Sequence, residues 1–176
     1  MKSSFLKVSV LLAFGLSSNL ALAGKKVWGN AYTDVDLDCV AHAVANQKAD
    51  IDFRKVECKS FGGYQMFIEG ADLRYSPTLE FHGKVVFSHR EFAFHDMAAS
   101  KVEWVYLRNE ETDGGGKLEW KGFVYRLAVA REDGGKDDSR LYVVRLNGAK
   151  TCSLGGAKSN EQAHAMIQDP RTPCEK

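Results

Sequence analysis

Beyond residue 23, the sequence has no apolar run that approaches the roughly 20 residues needed to cross a bilayer. It also lacks a strong charge of either sign, since 24 Lys and Arg stand against 23 Asp and Glu. Such a balance provides no field that would draw the protein to nucleic acid or to anionic lipid. We therefore expect no nucleic-acid partner and no membrane insertion of the mature chain. Proline-rich linkers, low-complexity tracts and long repeats are also absent, which predicts a single domain.

The first 23 residues have the pattern of a secretory signal peptide. Lys2 and Lys7 form a positive head, residues 8–16 are apolar, and residues 21–23 (ALA) give the small-x-small pattern of a cleavage site. Removal of this leader takes away two lysines and no acid, so the net charge falls from +1 to −1. We expect the mature chain, residues 24–176, to be one soluble domain in the periplasm or the medium.

Four cysteines lie in the mature part of the chain: Cys39, Cys58, Cys152 and Cys174. An even number of cysteines in an exported chain predicts two disulfides, for which three pairings are possible. We favour the pairing of neighbours in sequence, Cys39 with Cys58 and Cys152 with Cys174, although the sequence alone leaves the other two open. No C-x-x-C motif accompanies Cys58, so a structural role is preferred to a nucleophilic or redox role.

Most of the mature chain alternates apolar and polar residues with the period of two that is typical of β-strands. The candidate strands are residues 51–58, 64–69, 79–87, 101–108, 123–129 and 140–146. ETDGGGK and EDGGKDD separate the last three, which predicts a three-stranded antiparallel meander. Ser159 and Gln162 form an S-x-x-Q capping box, so a helix is predicted that ends before Pro170. The predicted fold class is α+β, a mostly antiparallel sheet with a C-terminal helix in a disulfide-stapled domain.

Four blocks of the sequence resemble, in the same order, a group of small exported bacterial proteins of uncharacterised function. The blocks are YTDVDLDCV, GGYQMFIEGADLRYS, LEWKGFVYRLAV and RLYVVRLNGAKTCSLGG. The resemblance spans most of the mature chain and is strongest in these blocks. In such relatives the second block tends to contain GDLR, whereas this chain has EGADLR with Ala71 inserted. The resemblance carries no catalytic motif, and it implies a periplasmic domain with paired cysteines and a terminal helix.

The segment SHREFAFHD, residues 88–96, holds the candidate metal ligands. If it is extended, His89, Glu91 and His95 share one face, where two imidazoles and a carboxylate could approach zinc or a similar ion. The preferred interpretation places the two phenylalanines of this segment in the core and the three polar side chains in water. We therefore expect no metal or cofactor. Neither a nucleophile with its base nor a phosphate loop is recognisable, so a non-enzymatic role is favoured while enzymatic activity is left open.

The candidate binding residues are two tyrosines and a charged pair. Tyr64 is one of many amphipathic aromatic residues, a type that is enriched at interfaces, and Tyr142 would point outward if its neighbours along the strand face the core. Asp72 and Arg74 of EGADLRY fall on one face next to a glycine-rich turn, and loops on rigid sheets commonly carry function. The alternative is that Asp72 and Arg74 simply pair with each other or with a neighbouring strand.

These observations favour a non-enzymatic binding protein of the periplasm or medium that engages another protein, as an inhibitor or an immunity-type protein would. One alternative is a metal-dependent hydrolase built on the segment with His89, Glu91 and His95. The other is a carrier of a small apolar ligand between the sheet and the helix.

Overall fold

The computed structural model describes residues 25–41, 53–90, 93–99, 101–110 and 116–175. The strands in these residues are β1 (Lys25–Asp34), β2 (Cys39–Ala41), β3 (Arg54–Cys58), β4 (Tyr64–Ala71), β5 (Arg74–Phe81), β6 (Lys84–Ser88), β7 (His95–Met97), β8 (Lys101–Glu110), β9 (Leu118–Val129), β10 (Asp138–Arg145) and β11 (Cys152–Ala157). One helix in these residues, α1 (Asn160–Gln168), follows β11. The signal peptide prediction falls outside the described residues.

The strands form a single curled sheet with two antiparallel sections. The first section consists of β1, β8, β9, β10 and β11, and the second consists of β2 to β6. The short strand β7 joins them, because it pairs antiparallel with β9 and parallel with β5. The predicted meander of β8, β9 and β10 is confirmed, with the EDGGKDD segment at the turn between β9 and β10.

A hydrophobic core forms between the two sections, because each presents the apolar face of its alternating pattern. Two alternations predicted from the sequence supply much of it, through the buried side chains of Phe123, Tyr125, Leu127 and Val129 in β9 and Tyr64, Met66 and Ile68 in β4. Val124 faces the other way and joins Ala163 and Ile167 of α1 in a second cluster. The predicted α+β class is thereby confirmed, with the helix packed on the outer face of the first section.

The capping box of α1 forms as predicted. The Ser159 hydroxyl accepts a hydrogen bond of 3.2 Å from the backbone of Gln162, whose side-chain oxygen accepts one of 2.8 Å from the Lys158 backbone. The helix approaches the sheet closely, since a Cβ atom at Gly122 would collide with the side chain of Ile167. Within the described part of the chain, no helix is long and apolar enough to cross a membrane.

The two disulfides join Cys39 to Cys58 and Cys152 to Cys174, so the favoured pairing is confirmed. Cys39 lies directly opposite Cys58 on the neighbouring strands β2 and β3. The second disulfide ties the chain that follows α1 back to the start of β11. Cys58 therefore has a structural role, because its sulfur holds a short edge strand to the sheet.

Some strands differ from the sequence prediction. Residues 79–87 do not form one strand, because His82 and Gly83 adopt φ of 51° and 71° and make the tight turn between β5 and β6. The apolar residues on both sides of this turn favour one strand, which conceals the turn at His82 and Gly83. Strands β1, β2, β7 and β11 were not predicted, and neither were residues 74–78 of β5. β1 has partly polar, partly exposed residues and gains its order by pairing along its whole length with β8.

Candidate functional site

A cleft of about 420 Å³ opens beside β5, where the second section of the sheet meets β7. We call it the Arg74 cleft. It is lined by Phe53, Glu69, Gly70, Arg74, Ser76, Thr78, Ser88, His89, Arg90 and His95. Thr78 and His95 are only 2% and 5% exposed, so polar side chains lie deep in this region. The fold thus gathers hydroxyl, imidazole and guanidinium groups from distant parts of the chain around one concavity.

The hairpin between β4 and β5 shapes one wall of the cleft. Ala71 pairs with Arg74, which leaves a two-residue turn in which Asp72 and Leu73 have φ of 53° and 56°. Positive φ at both central residues is the requirement of the hairpin turn that matches strand twist. Gly70 permits the chain to close here, because a Cβ atom at this position would collide with the backbone oxygen of Arg74.

Arg74 occupies the mouth of the cleft between a carboxylate and an aromatic ring. Its Nη1 donates a hydrogen bond of 2.5 Å to Oδ2 of Asp72, so the pairing of these two residues, considered from the sequence, is confirmed. The guanidinium carbon lies 4.5 Å from the ring centre of Phe94. Asp72 is 72% exposed, and water therefore weakens the ion pair.

The two histidines of the cleft are each held by a hydrogen bond at Nδ1. In His95, Nδ1 lies 2.8 Å from the backbone oxygen of Ala93. In His89, Nδ1 lies 2.8 Å from the hydroxyl of Tyr125, a residue of the core. The two imidazole centres are 5.2 Å apart. These contacts fix the orientation of both rings at the side of the cleft that faces β9.

The structure brings together two of the three predicted metal ligands. His89 and His95 are neighbours, whereas Glu91 lies outside the described residues. Among the residues that are described, no group of three or more His, Cys, Asp or Glu side chains is arranged to hold a metal ion. The structure therefore supports the metal-site hypothesis only in that two imidazoles lie close together, and the described residues add no further ligand.

The predicted orientations of Phe94 and His95 are wrong, whereas Glu91 and Phe92 lie outside the described residues. His95 is buried and Phe94 is 46% exposed, the reverse of the expectation that the phenylalanines enter the core. The described part of this segment is not one extended strand, because β6 ends at Ser88 and β7 begins at His95. Among the described residues, His89 and His95 therefore do not belong to one strand, although their rings are neighbours.

The two tyrosines proposed for binding lie inside the protein. Tyr64 is buried in the core, where its hydroxyl accepts a hydrogen bond of 2.7 Å from the Gly148 backbone. Tyr142 points to the inner face of the sheet instead of outward, because its strand neighbours Leu141 and Val143 pack in the cluster beneath α1. It supports the cleft indirectly, through a ring contact of 4.6 Å with His89.

Sequence reasoning missed a second polar group, which we call the Glu103 cluster: Asn30, Tyr32, Glu103 and His164. Oε1 of the buried Glu103 lies 2.7 Å from Nδ2 of Asn30, 2.9 Å from Nε2 of His164 and 3.5 Å from the hydroxyl of Tyr32. The cluster joins β1, β8 and α1. The available signal was the charged residue within the apolar run VEWVY of β8.

The environment of the Glu103 cluster raises the pKa of a tyrosine. Partial burial raises the pKa of Tyr32 above its ordinary value of 10.0, and the negative charge and hydrogen bonding of Glu103 act in the same direction. The neutral phenol is thus the stabilised form, as expected beside a carboxylate.

Comparison with known proteins adds no family to this description. No protein-family model, no curated protein and no solved structure matches the chain. The resemblance to small exported proteins therefore stays a prediction, and the function is argued from the site alone.

Proposed function

We propose that this chain is an exported, non-enzymatic binding protein that engages another protein through the mouth of the Arg74 cleft. The observation that carries the proposal is Leu73, which is 67% exposed at the tip of the β4–β5 hairpin and has a φ of 56°. Neither its solvation nor its backbone conformation favours a leucine at this position. A contact with a partner would supply the reason for it.

The backbone at Leu73 has a definite cost. A non-glycine residue in the left-handed region is destabilised by about 1 kcal/mol or more, and asparagine or glycine would relieve that cost. Strained residues of this kind cluster at functional sites. The same turn would form more readily with the Asn-Gly or Asp-Gly pairs that hairpins prefer. Stability of the hairpin therefore does not explain the leucine.

The residues beside Leu73 have the composition of an interface centre. Phe94 is half-exposed with the Arg74 guanidinium over its ring, and the Leu73 backbone oxygen accepts a hydrogen bond of 2.9 Å from His95. Arginine and aromatic side chains are enriched at the energetic centres of protein interfaces. The backbone hydrogen bond ties the hairpin tip to β7. The exposed apolar side chains of Leu73 and Phe94 are therefore held beside the cleft in one arrangement before a partner binds.

Export is the other half of the proposal. It is supported by the leader pattern of residues 1–23 and by the two disulfides, which form and persist in oxidising compartments.

The experiment is a capture assay with the oxidised mature chain as bait for culture medium and envelope extract, identified by mass spectrometry. We expect one stoichiometric protein. Leu73→Asn should reduce its capture by about tenfold, the effect of losing one well-packed interface residue. The same variant should be no less stable than the parent chain, because asparagine accepts positive φ.

The control is Leu118→Asn, which removes an exposed leucine at the start of β9, far along the strand from Val129, the residue that pairs with His95. Equal loss of capture in both variants would indicate a nonspecific hydrophobic contact. Unchanged capture by Leu73→Asn, or no captured protein at all, would overturn the proposal.

A further inference from the structure

We propose that the Arg74 cleft is a carboxylate pocket that receives an acidic side chain of the partner protein. This inference rests on the proposed function, because the mouth of the pocket is the proposed contact surface. It specifies how the partner is recognised: guanidinium and hydroxyl groups of the cleft donate hydrogen bonds to one carboxylate of the partner.

The charge of the lining favours an anion. Arg74 and Arg90 both line the cleft, and arginine is the side chain best suited to bind a carboxylate with two parallel hydrogen bonds. Glu69 is the one carboxylate in the described lining, and Lys55 lies 3.2 Å from its Oε2. Lys55 also lies 3.5 Å from Oε1 of Glu80, so it is shared by two carboxylates, and the lining itself holds two arginines against one glutamate.

Hydroxyl groups also line the cleft, and Ser76 and Thr78 among them are buried. The hydroxyls of Thr78 and Ser88 lie 3.3 Å apart, and Ser76 precedes Thr78 on the same face of β5. Hydroxyl groups can each turn a proton toward an acceptor, and a few convergent polar groups in a concave site are typical of specific recognition. Thr78 donates its own proton to Ser88, so the exposed Ser88 hydroxyl is the one that would donate to a ligand that accepts hydrogen bonds.

Asp72 shows how an incoming carboxylate would bind. Its carboxylate already contacts Nη1 of Arg74, yet it is well exposed and the ion pair is screened by water. Stacking on Phe94 holds the guanidinium plane in place, which reduces the entropy lost when a second carboxylate binds. Asp72 therefore acts as a weak internal competitor that a better-desolvated carboxylate can displace.

The test is an NMR titration of the 15N-labelled mature chain with N-acetyl-glutamate-N-methylamide, a capped glutamate. The matched neutral probe is N-acetyl-glutamine-N-methylamide, which has nearly the same shape and no charge. We expect the acidic probe to shift the amide signals of Arg74, Thr78 and His95, and the neutral probe to leave them in place. Shifts of equal size with both probes, or none with either, would overturn the inference.

Variants provide the matched controls, because the chain contains a second D-x-R pair. Asp169 and Arg171, after α1, pair as Asp72 and Arg74 do, and they lie outside the cleft lining. Arg74→Gln should weaken binding of the acidic probe by about fivefold, the value of one charge-assisted hydrogen bond, whereas Arg171→Gln should not.

Asp72→Asn should tighten binding by about twofold, since it removes the competing carboxylate, and Asp169→Asn should have no effect. If the variants of the two pairs changed binding of the acidic probe equally, only the net charge of the protein would matter. That result would overturn the proposal of a carboxylate pocket.

The capture assay separates this inference from the proposed function. Loss of capture in both Leu73→Asn and Arg74→Gln supports both. Capture that depends on Leu73 and ignores Arg74 would overturn the carboxylate pocket and leave the binding protein intact. Binding of the acidic probe without any captured protein would overturn the assignment of the carboxylate to a partner, and the pocket would then belong to a free carboxylate.

Discussion

The Glu103 cluster and the Arg74 cleft contain similar side chains in opposite arrangements. Each includes a histidine held by a hydrogen bond and a charged residue carried by the sheet. In the Glu103 cluster, polar groups of β1 and α1 converge on a single carboxylate oxygen carried by β8. In the cleft, the polar groups surround a space of about 420 Å³. Residue types alone therefore do not distinguish a structural cluster from a binding site. Their arrangement does, because polar groups that converge on one another form a structural cluster, whereas polar groups around an open space can bind a ligand.

The largest effect that this contrast predicts is on stability, through Asn30. Asn30→Ala removes the shortest hydrogen bond to the buried Glu103 carboxylate, so we expect the free energy of unfolding to fall by about 2 kcal/mol. Urea denaturation with the disulfides intact measures this change. The NMR titration of the cleft should be unaltered. A variant with normal stability and weakened probe binding would reverse the roles assigned to the two regions.

A smaller loss of stability should follow from uncapping the helix that carries His164. Ser159→Ala removes the hydroxyl that caps the first turn of α1, at an expected cost of about 1 kcal/mol. The control is Ser139→Ala, because Ser139 is exposed at the start of β10. The helical circular dichroism signal should decrease in Ser159→Ala only, because the first turn of α1 frays. Equal losses in the two serine variants would mean that the cap does not hold α1 on the sheet.

The cleft should respond in the opposite way to the loss of a hydroxyl. Thr78→Val keeps the shape of a buried side chain and removes its oxygen, so stability should change by less than about 0.5 kcal/mol or rise. Binding of capped glutamate should weaken by about threefold, because Thr78 donates to Ser88 and so orients the hydroxyl that would bind the carboxylate. Urea denaturation measures the free energy of unfolding and the NMR titration measures the affinity for capped glutamate, both on the same protein preparation. A large loss of stability with unchanged binding would make Thr78 a structural residue like Asn30.

Local patterns predicted the parts of the fold that depend on neighbours in sequence. The alternation in β4 and β9 identified the core faces, the S-x-x-Q motif identified the start of α1, and export predicted the disulfides. The Asp72–Arg74 pair was also within reach, because its members are two residues apart.

The cleft itself depends on contacts between segments that are distant in sequence. His95 reaches it because β7 pairs with Val129 on one side and with Arg74 on the other. Strand register of this kind is set by the whole sheet, and a shift of one residue reverses every face. For the same reason, the wrong face was assigned to His95 and Phe94, and the Asp72-Leu73 turn went unrecognised because leucine is rare in such turns.

The smallest effect concerns Tyr32, and it tests whether the charge of Glu103 is confined to its cluster. The pKa of Tyr32 is raised in the folded state, so the unfolded chain loses this proton first as pH rises through about 10. The stability that the neutral phenol contributes is fully present below that pH and is lost as pH rises through the folded value. Tyr32→Phe should therefore cost less than about 0.5 kcal/mol near neutral pH, since the bond to Glu103 is long at 3.5 Å.

Above pH 10 the variant should lose stability less steeply than the parent chain, and urea midpoints measured at several pH values would show the difference. Tyr106→Phe, elsewhere on β8, is the control for the loss of a phenol that has no bond to Glu103. If the urea midpoints of the parent chain and of Tyr32→Phe fell equally steeply above pH 10, Glu103 would not act on Tyr32. In that case only Asn30 and His164 would engage the buried carboxylate, and the convergence that separates this cluster from the cleft would rest on two partners instead of three.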